Sequence, residues 1–173
     1  MFNPGLLADG DTLLLAYRVV APDGLRRIAI SRLERRTLRI VAGSALPLSD
    51  GFRLRGGIDY PAEARTWFAD PRLYRFGARL FVYWNSGWHE PRNYQFIHEL
   101  HPTTLQPIGT ARELILRQGD RQKLEKNWTL FLDAAGELRA VYAVAPHRVL
   151  GFSLEGDGDI AFDEVASTPW ALE

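Results

Sequence analysis

The chain of 173 residues contains no cysteine. That excludes disulfides, a thiol nucleophile and a cysteine-ligated zinc site. It also has no net charge, because 21 basic residues are balanced by 21 acidic ones. Neutrality removes the electrostatic case for nucleic acid or a membrane surface as partner. No apolar run approaches the roughly 18 residues that a spanning helix needs. Phe2–Val20 is apolar in part, but Asp9, Asp11 and Arg18 interrupt it and no basic segment precedes it, so it does not read as a signal peptide. A cytoplasmic location is the default expectation. Helical periodicity is almost missing too, and Ala111–Arg117 is the one short candidate.

Other quantities are ordinary. Hydrophobic residues make up 46% and charged residues 24%, so the chain has material for one globular domain with a sizeable core. Ten prolines and 15 glycines punctuate it at strand-length intervals, as an all-β fold requires. Strands are expected at Thr12–Val20, Arg27–Leu33, Thr37–Val41, Leu73–Phe76, Leu80–Trp84, Tyr94–Leu100 and Leu105–Ile108. Four more are expected at Leu130–Leu132, Leu138–Val144, Val149–Leu154 and Ile160–Val165.

The strongest pattern is an internal repeat at an ungapped offset of 67 residues. Asn3-Pro4 corresponds to Asp70-Pro71, Gly10 to Gly77, Leu13 to Leu80, Leu33 to Leu100, and Thr37-Leu38 to Thr104-Leu105. A looser third copy follows in Asn127-Trp128, Leu130, Gly136, Leu138 and Tyr142. Strand-rich repeats of this length are the mark of a β-propeller. The copies divide the chain at about 2–66, 67–124 and 125–173, with Gly43–Thr66 as a long connection at a possible site rim. A closed propeller needs about four blades or more. The chain is therefore expected to be a fragment of a larger propeller, or to close by assembling with another chain.

In a propeller the turns that lead into the innermost strands converge on one mouth. Here those turns are Phe2-Asn3-Pro4, Phe68–Arg72 and Glu125–Trp128, which place Asn3, Asp70 and Asn127 at equivalent positions. Asp70 among amides is a candidate acid or base; the alternative is that each residue only sets its turn. Arg18, Lys126 and His147 are cations on separate repeats, a pattern that suits an anionic ligand. The competing readings are a strand-end ion pair for Arg18 and a surface loop for His147. Among Trp67, Trp84, Trp88, Trp128 and Tyr142, some can stack on sugar rings, while packing between blades suits Trp84 and Tyr142 better. His98-Glu99-Leu100-His101 is one residue short of a zinc motif, and on a strand its two histidines point to opposite faces, so no metal site is expected. Glu155–Asp159 reads as a hairpin turn, and the arginines at 26, 27, 32, 35, 36 and 39 as solvated strand edges.

These residues resemble the five-bladed β-propeller glycosidases, most closely glycoside hydrolase family 130, a family of β-mannoside phosphorylases and some hydrolases. The resemblance rests on Phe2-Asn3-Pro4 with Tyr17-Arg18, on Asp70-Pro71-Arg72 before an apolar strand, and on Lys126-Asn127-Trp128 with Pro146-His147. It implies an all-β fold of about three blades out of five and an inverting phosphorolysis of a β-linked, mannoside-like glycoside. Asp70 would protonate the leaving oxygen, and phosphate would attack the anomeric carbon, replacing the activated water that hydrolysis uses. Arg18, Lys126 and His147 would hold the phosphate. Asn3, Arg72, Asn127 and Trp128 would contact the sugar. Inorganic phosphate is then the co-substrate, with no cofactor and no metal. A small oligosaccharide is the expected partner, and a homo-oligomer remains open. The family carries Glu before Asp-Pro-Arg where this chain has Ala69, and only Arg112 or Arg117 stands near the place of its middle-blade phosphate arginine. Two alternatives stand beside this reading: a hydrolase of the same fold, and a non-catalytic glycan-binding module.

Overall fold

In a computed structural model, which describes residues 2–87, 92–118 and 121–169, the chain folds into three strand groups. The first is an antiparallel sheet of β1 (Phe2–Asp9), β2 (Thr12–Val20) and β3 (Arg26–Glu34). The second contains β4 (Ala69–Phe76), β5 (Arg79–Asn85), β6 (Gln95–Leu100) and β7 (Arg112–Leu116). The third contains β8 (Thr129–Leu132), β9 (Leu138–Val144), β10 (His147–Gly151) and β11 (Ile160–Thr168). Each group is an antiparallel meander. The outer strands β7 and β11 pair in parallel, so the second and third groups form one eight-stranded sheet. The first strands sit side by side, β1 against β4 and β4 against β8. The result is an all-β arrangement of propeller blades around an inner face lined by β1, β4 and β8.

The 67-residue repeat is written into the backbone. Asn3 and Asp70 have φ of 45° and 50°, Leu38 and Leu105 56° and 60°, and Gly10 and Gly77 58° and 61°. Asn127 of the third group also lies in the left-handed region, at 63°. The β1–β2 register slips between Phe2 and Gly5, and the β4–β5 register slips between Ala69 and Arg72. Both slips fall on the Asn-Pro or Asp-Pro pair, where proline removes a ladder donor and a bulge forms.

Two cores flank the middle blade. Along β5, Leu80, Val82 and Trp84 enter the core shared with the first blade, and Phe81 and Tyr83 enter the core shared with the third. This explains the unbroken apolar run, because a strand buried on both faces has no polar side to alternate. Trp84 is fully buried and stacks on Phe52, with centroids 4.1 Å apart. By contrast, β2 buries Leu14 and Ala16 and leaves Leu13, Leu15 and Tyr17 half-buried.

Three expectations differ from this structure. The helical candidate Ala111–Arg117 is strand β7, because pairing with β6 and β11 overrides its helix-forming composition. Neither Thr37–Val41 nor Leu105–Ile108 forms a strand; Leu38 and Leu105 take left-handed turns, and only isolated bridges remain at Ile40 and Pro107. The connection Gly43–Thr66 contains a 3₁₀ turn, Leu48–Gly51, and a four-residue helix, α1 (Glu63–Thr66). No helix among the described residues is long and apolar enough to cross a membrane.

Candidate active site

The three left-handed residues of the repeat meet where β1, β4 and β8 begin. Asn3 Nδ2 donates to Asp70 Oδ1, and Asn85 Nδ2 donates to Asp70 Oδ2 at 3.3 Å. Both carboxylate oxygens are thus held from neighbouring strands. Arg72 Nη2 donates to Asn127 Oδ1 at 3.1 Å, which ties the second blade to the third. Asn85 is buried and is fixed in turn by the Gly87 backbone N–H, 2.9 Å from its Oδ1.

Asn3 and Asp70 stand between two cavities. One, of about 500 Å³, runs along the inner strands and includes Leu6, Arg72, Asn127 and Thr129. The other, of about 250 Å³, includes Arg18, Arg26, Trp67 and Lys126. Among the described residues lining either cavity, Asp70 is the only carboxylate. A carboxyl with fixed oxygens at the junction of a polar channel and a cationic pocket can transfer a proton to or from a ligand that spans the two.

A buried polar network supports the third turn. Glu125 is 3% exposed. Its Oε2 accepts from Arg121 Nη2 (2.6 Å) and Nε (3.1 Å), and its Oε1 accepts from the Tyr142 hydroxyl (2.8 Å). Its backbone carbonyl accepts from Asn93 and from Gln95 Nε2, and its N–H donates to Asn93 Oδ1. Burial, then the hydrogen bond to Glu125, pushes the Tyr142 hydroxyl up to about 12. This anchors the chain immediately before Lys126 and Asn127.

The structure brings together Asn3, Arg18, Asp70, Arg72, Lys126 and Asn127 at the two adjoining cavities. It does not bring His147 there. That residue pairs with Val144 and Thr168 on β10 and lines neither cavity. Trp128 needs a correction. Its ring is fully buried between Tyr142 and Phe162 and has no exposed face for a sugar. Arg26, expected among the solvated strand edges, lines the smaller cavity instead, while Arg32 and Arg27 do pair with Asp9 and Asp50. Arg112 donates to the carbonyls of Leu154 and Glu155, and Arg117 pairs with Asp163, so both lie away from Asp70. Trp88 lies outside the described residues. His98 is buried with its Nε2 3.3 Å from the Gly109 carbonyl, and His101 accepts from the Thr103 and Thr104 N–H groups. The two rings thus serve separate surroundings.

No family model and no curated protein matches the chain. Solved structures do. The GH43_1 enzyme from Xanthomonas citri, complexed with xylose, is similar with a TM-score of 0.59 at 14% identity, over 95% of this chain and 54% of that one. A thermostable family-43 glycoside hydrolase gives 0.60 at 11%, over 94% and 53%. A mutant α-L-arabinanase from Cellvibrio cellulosa gives 0.54 at 12%, over 92% and 56%. The first two of these are family 43 enzymes, whereas the motifs pointed to family 130. The chain spans about half the length of the structures it matches, and the likeness supports an all-β fold of propeller blades.

Proposed function

We propose that the chain carries part of a glycoside-cleaving site in which Asp70 is the proton-transferring carboxyl. The observation that carries this reading is the position of Asp70, held by Asn3 and Asn85 at the junction of two cavities and aligned with the repeat positions Asn3 and Asn127. Cleavage breaks the bond between the anomeric carbon and the leaving oxygen. Asp70 donates its proton to that oxygen as the ring gains oxocarbenium character, and a nucleophile adds from the opposite face. Arg72, Asn127 and Asn3 line the channel where sugar hydroxyls would be bound. Hydrolysis is the first reading, since the structures of like fold are glycoside hydrolases.

Phosphorolysis is the second reading. Arg18, Arg26 and Lys126 line the pocket beside Asp70, and no other described carboxylate lines either cavity to activate water. Phosphate is already a nucleophile and needs only to be held. The test is release of the aryl group from aryl xylosides, arabinosides and β-mannosides, with and without inorganic phosphate. Turnover is expected to fall by about 10²–10⁴-fold in Asp70→Asn, the usual scale for loss of acid–base catalysis. Unaltered turnover in that variant would remove Asp70 from the reaction. Strict dependence on phosphate would select the second reading, and independence the first.

A further inference from the structure

The smaller cavity holds a cation that the sequence pattern concealed. Arg26 opens β3, and its guanidinium carbon lies 3.7 Å from the centroid of the Trp67 ring. The backbones of the same two residues form a parallel bridge. Trp67 is itself fixed, because its indole fills the space over Gly87, where a Cβ would fall 2.0 Å from Nε1. A guanidinium seated over an aromatic face is attracted to the ring without giving up its N–H donors, which stay available to a ligand. Among the described residues no carboxylate lies within ion-pair distance of Arg26 or of Lys126 across the same pocket. Burial and the neighbouring Arg18 lower the Arg26 pKa, while Asp70 opposes them. The cations are thus crowded, and a bound anion would relieve them.

We propose that Arg26 is a ligand-binding residue, the third cation of an oxyanion subsite formed with Arg18 and Lys126 beside Asp70. The group it takes is a planar or tetrahedral oxyanion, either free inorganic phosphate or the carboxylate of an acidic sugar. A guanidinium can offer two parallel N–H donors to either. The inference deepens the reading of the same site and rests on it for the position of the substrate, but not for turnover.

The experiment is calorimetric titration of the protein at constant ionic strength with inorganic phosphate, D-glucuronate and neutral D-glucose. Wild type, Arg26→Met and Arg26→Lys are compared. Arg26→Met keeps the length and apolar stem, and Arg26→Lys keeps the charge without the paired donors. At least one oxyanion is expected to bind the wild type, tenfold or more weakly to Arg26→Met, and at intermediate strength to Arg26→Lys, the scale of a lost charge-assisted hydrogen bond. Glucose affinity is expected to stay within about twofold across the three proteins, a change small on the same scale. Phosphate alone binding identifies the free anion, and glucuronate alone the acidic sugar. If the wild type binds neither, or if both variants bind as the wild type does, the proposal fails. Because no turnover is read, Arg26-dependent anion binding together with unaltered turnover in Asp70→Asn would sink the glycosidase reading and leave this one standing. An active protein with no such binding would do the reverse.

Discussion

Asp70 was legible in the sequence because it recurs. The 67-residue offset aligned it with Asn3, and the shared left-handed backbone gives the physical reason for a short polar residue at each place. Arg26 was not legible, because it sits among six arginines within 14 residues and only the fold separates it from its paired neighbours. Nor could spacing reveal that Trp128 faces a core while Trp67 faces a cavity. The residue that permits the latter is Gly87. It has φ of 69°, and a side chain there would overlap the Trp67 indole. Gly87→Ala is therefore expected to displace Trp67 and with it Arg26. The strained φ and the clash together should lower stability by roughly 2–4 kcal/mol. Denaturant melts would measure this, together with the shift in tryptophan fluorescence. A variant with wild-type stability and spectrum would show that the indole can move at no cost.

At the scale of elements, the sequence located strands best where a mainly apolar segment follows a clear turn. Thr12–Val20 and Leu138–Val144 coincide with β2 and β9. It failed where tertiary pairing decides, as in β7, which is assembled from good helix formers but lies between β6 and β11. It also missed how closely β1 and β4 approach. At Gly5 a Cβ would stand 2.6 Å from the Pro71 carbonyl oxygen and 2.8 Å from the Arg72 Cα. Both obstacles are backbone, so neither can swing aside. Gly5→Ala is expected to push the first blade from the second at the strands that carry Asn3 and Asp70. The cost should be roughly 2–4 kcal/mol, the upper range for overpacking. Chemical denaturation is the check. An unchanged midpoint would mean that the two inner strands are not packed as described.

At the scale of the whole molecule, stability rests on a middle blade with both faces buried, and this carries a pH dependence. His98 lies on β6 in the first core, near the rings of Phe52 and Trp84. Burial pushes its pKa down to about 4 from 6.5; hydrogen bonding to the Gly109 and Ile108 carbonyls resists this and the charge of Arg53 adds to it. The direction of the stability change follows from proton counts. Above pH 6.5 the ring is neutral in folded and unfolded chains and contributes no slope. Between 6.5 and about 4 the unfolded chain binds a proton that the folded chain does not, so stability falls as pH falls. Below about 4 both states are protonated and the loss from this residue is complete, at about 3 kcal/mol. Replacing the ring with a group that does not titrate removes that slope whatever it does to stability at neutral pH. Between pH 7 and 5 the wild type is therefore expected to lose about 2 kcal/mol more than His98→Gln does, read from urea midpoints at each pH. Parallel profiles for the two proteins would mean that His98 takes up its proton without leaving the core, and that the middle blade is open to water on the face that the packing closes.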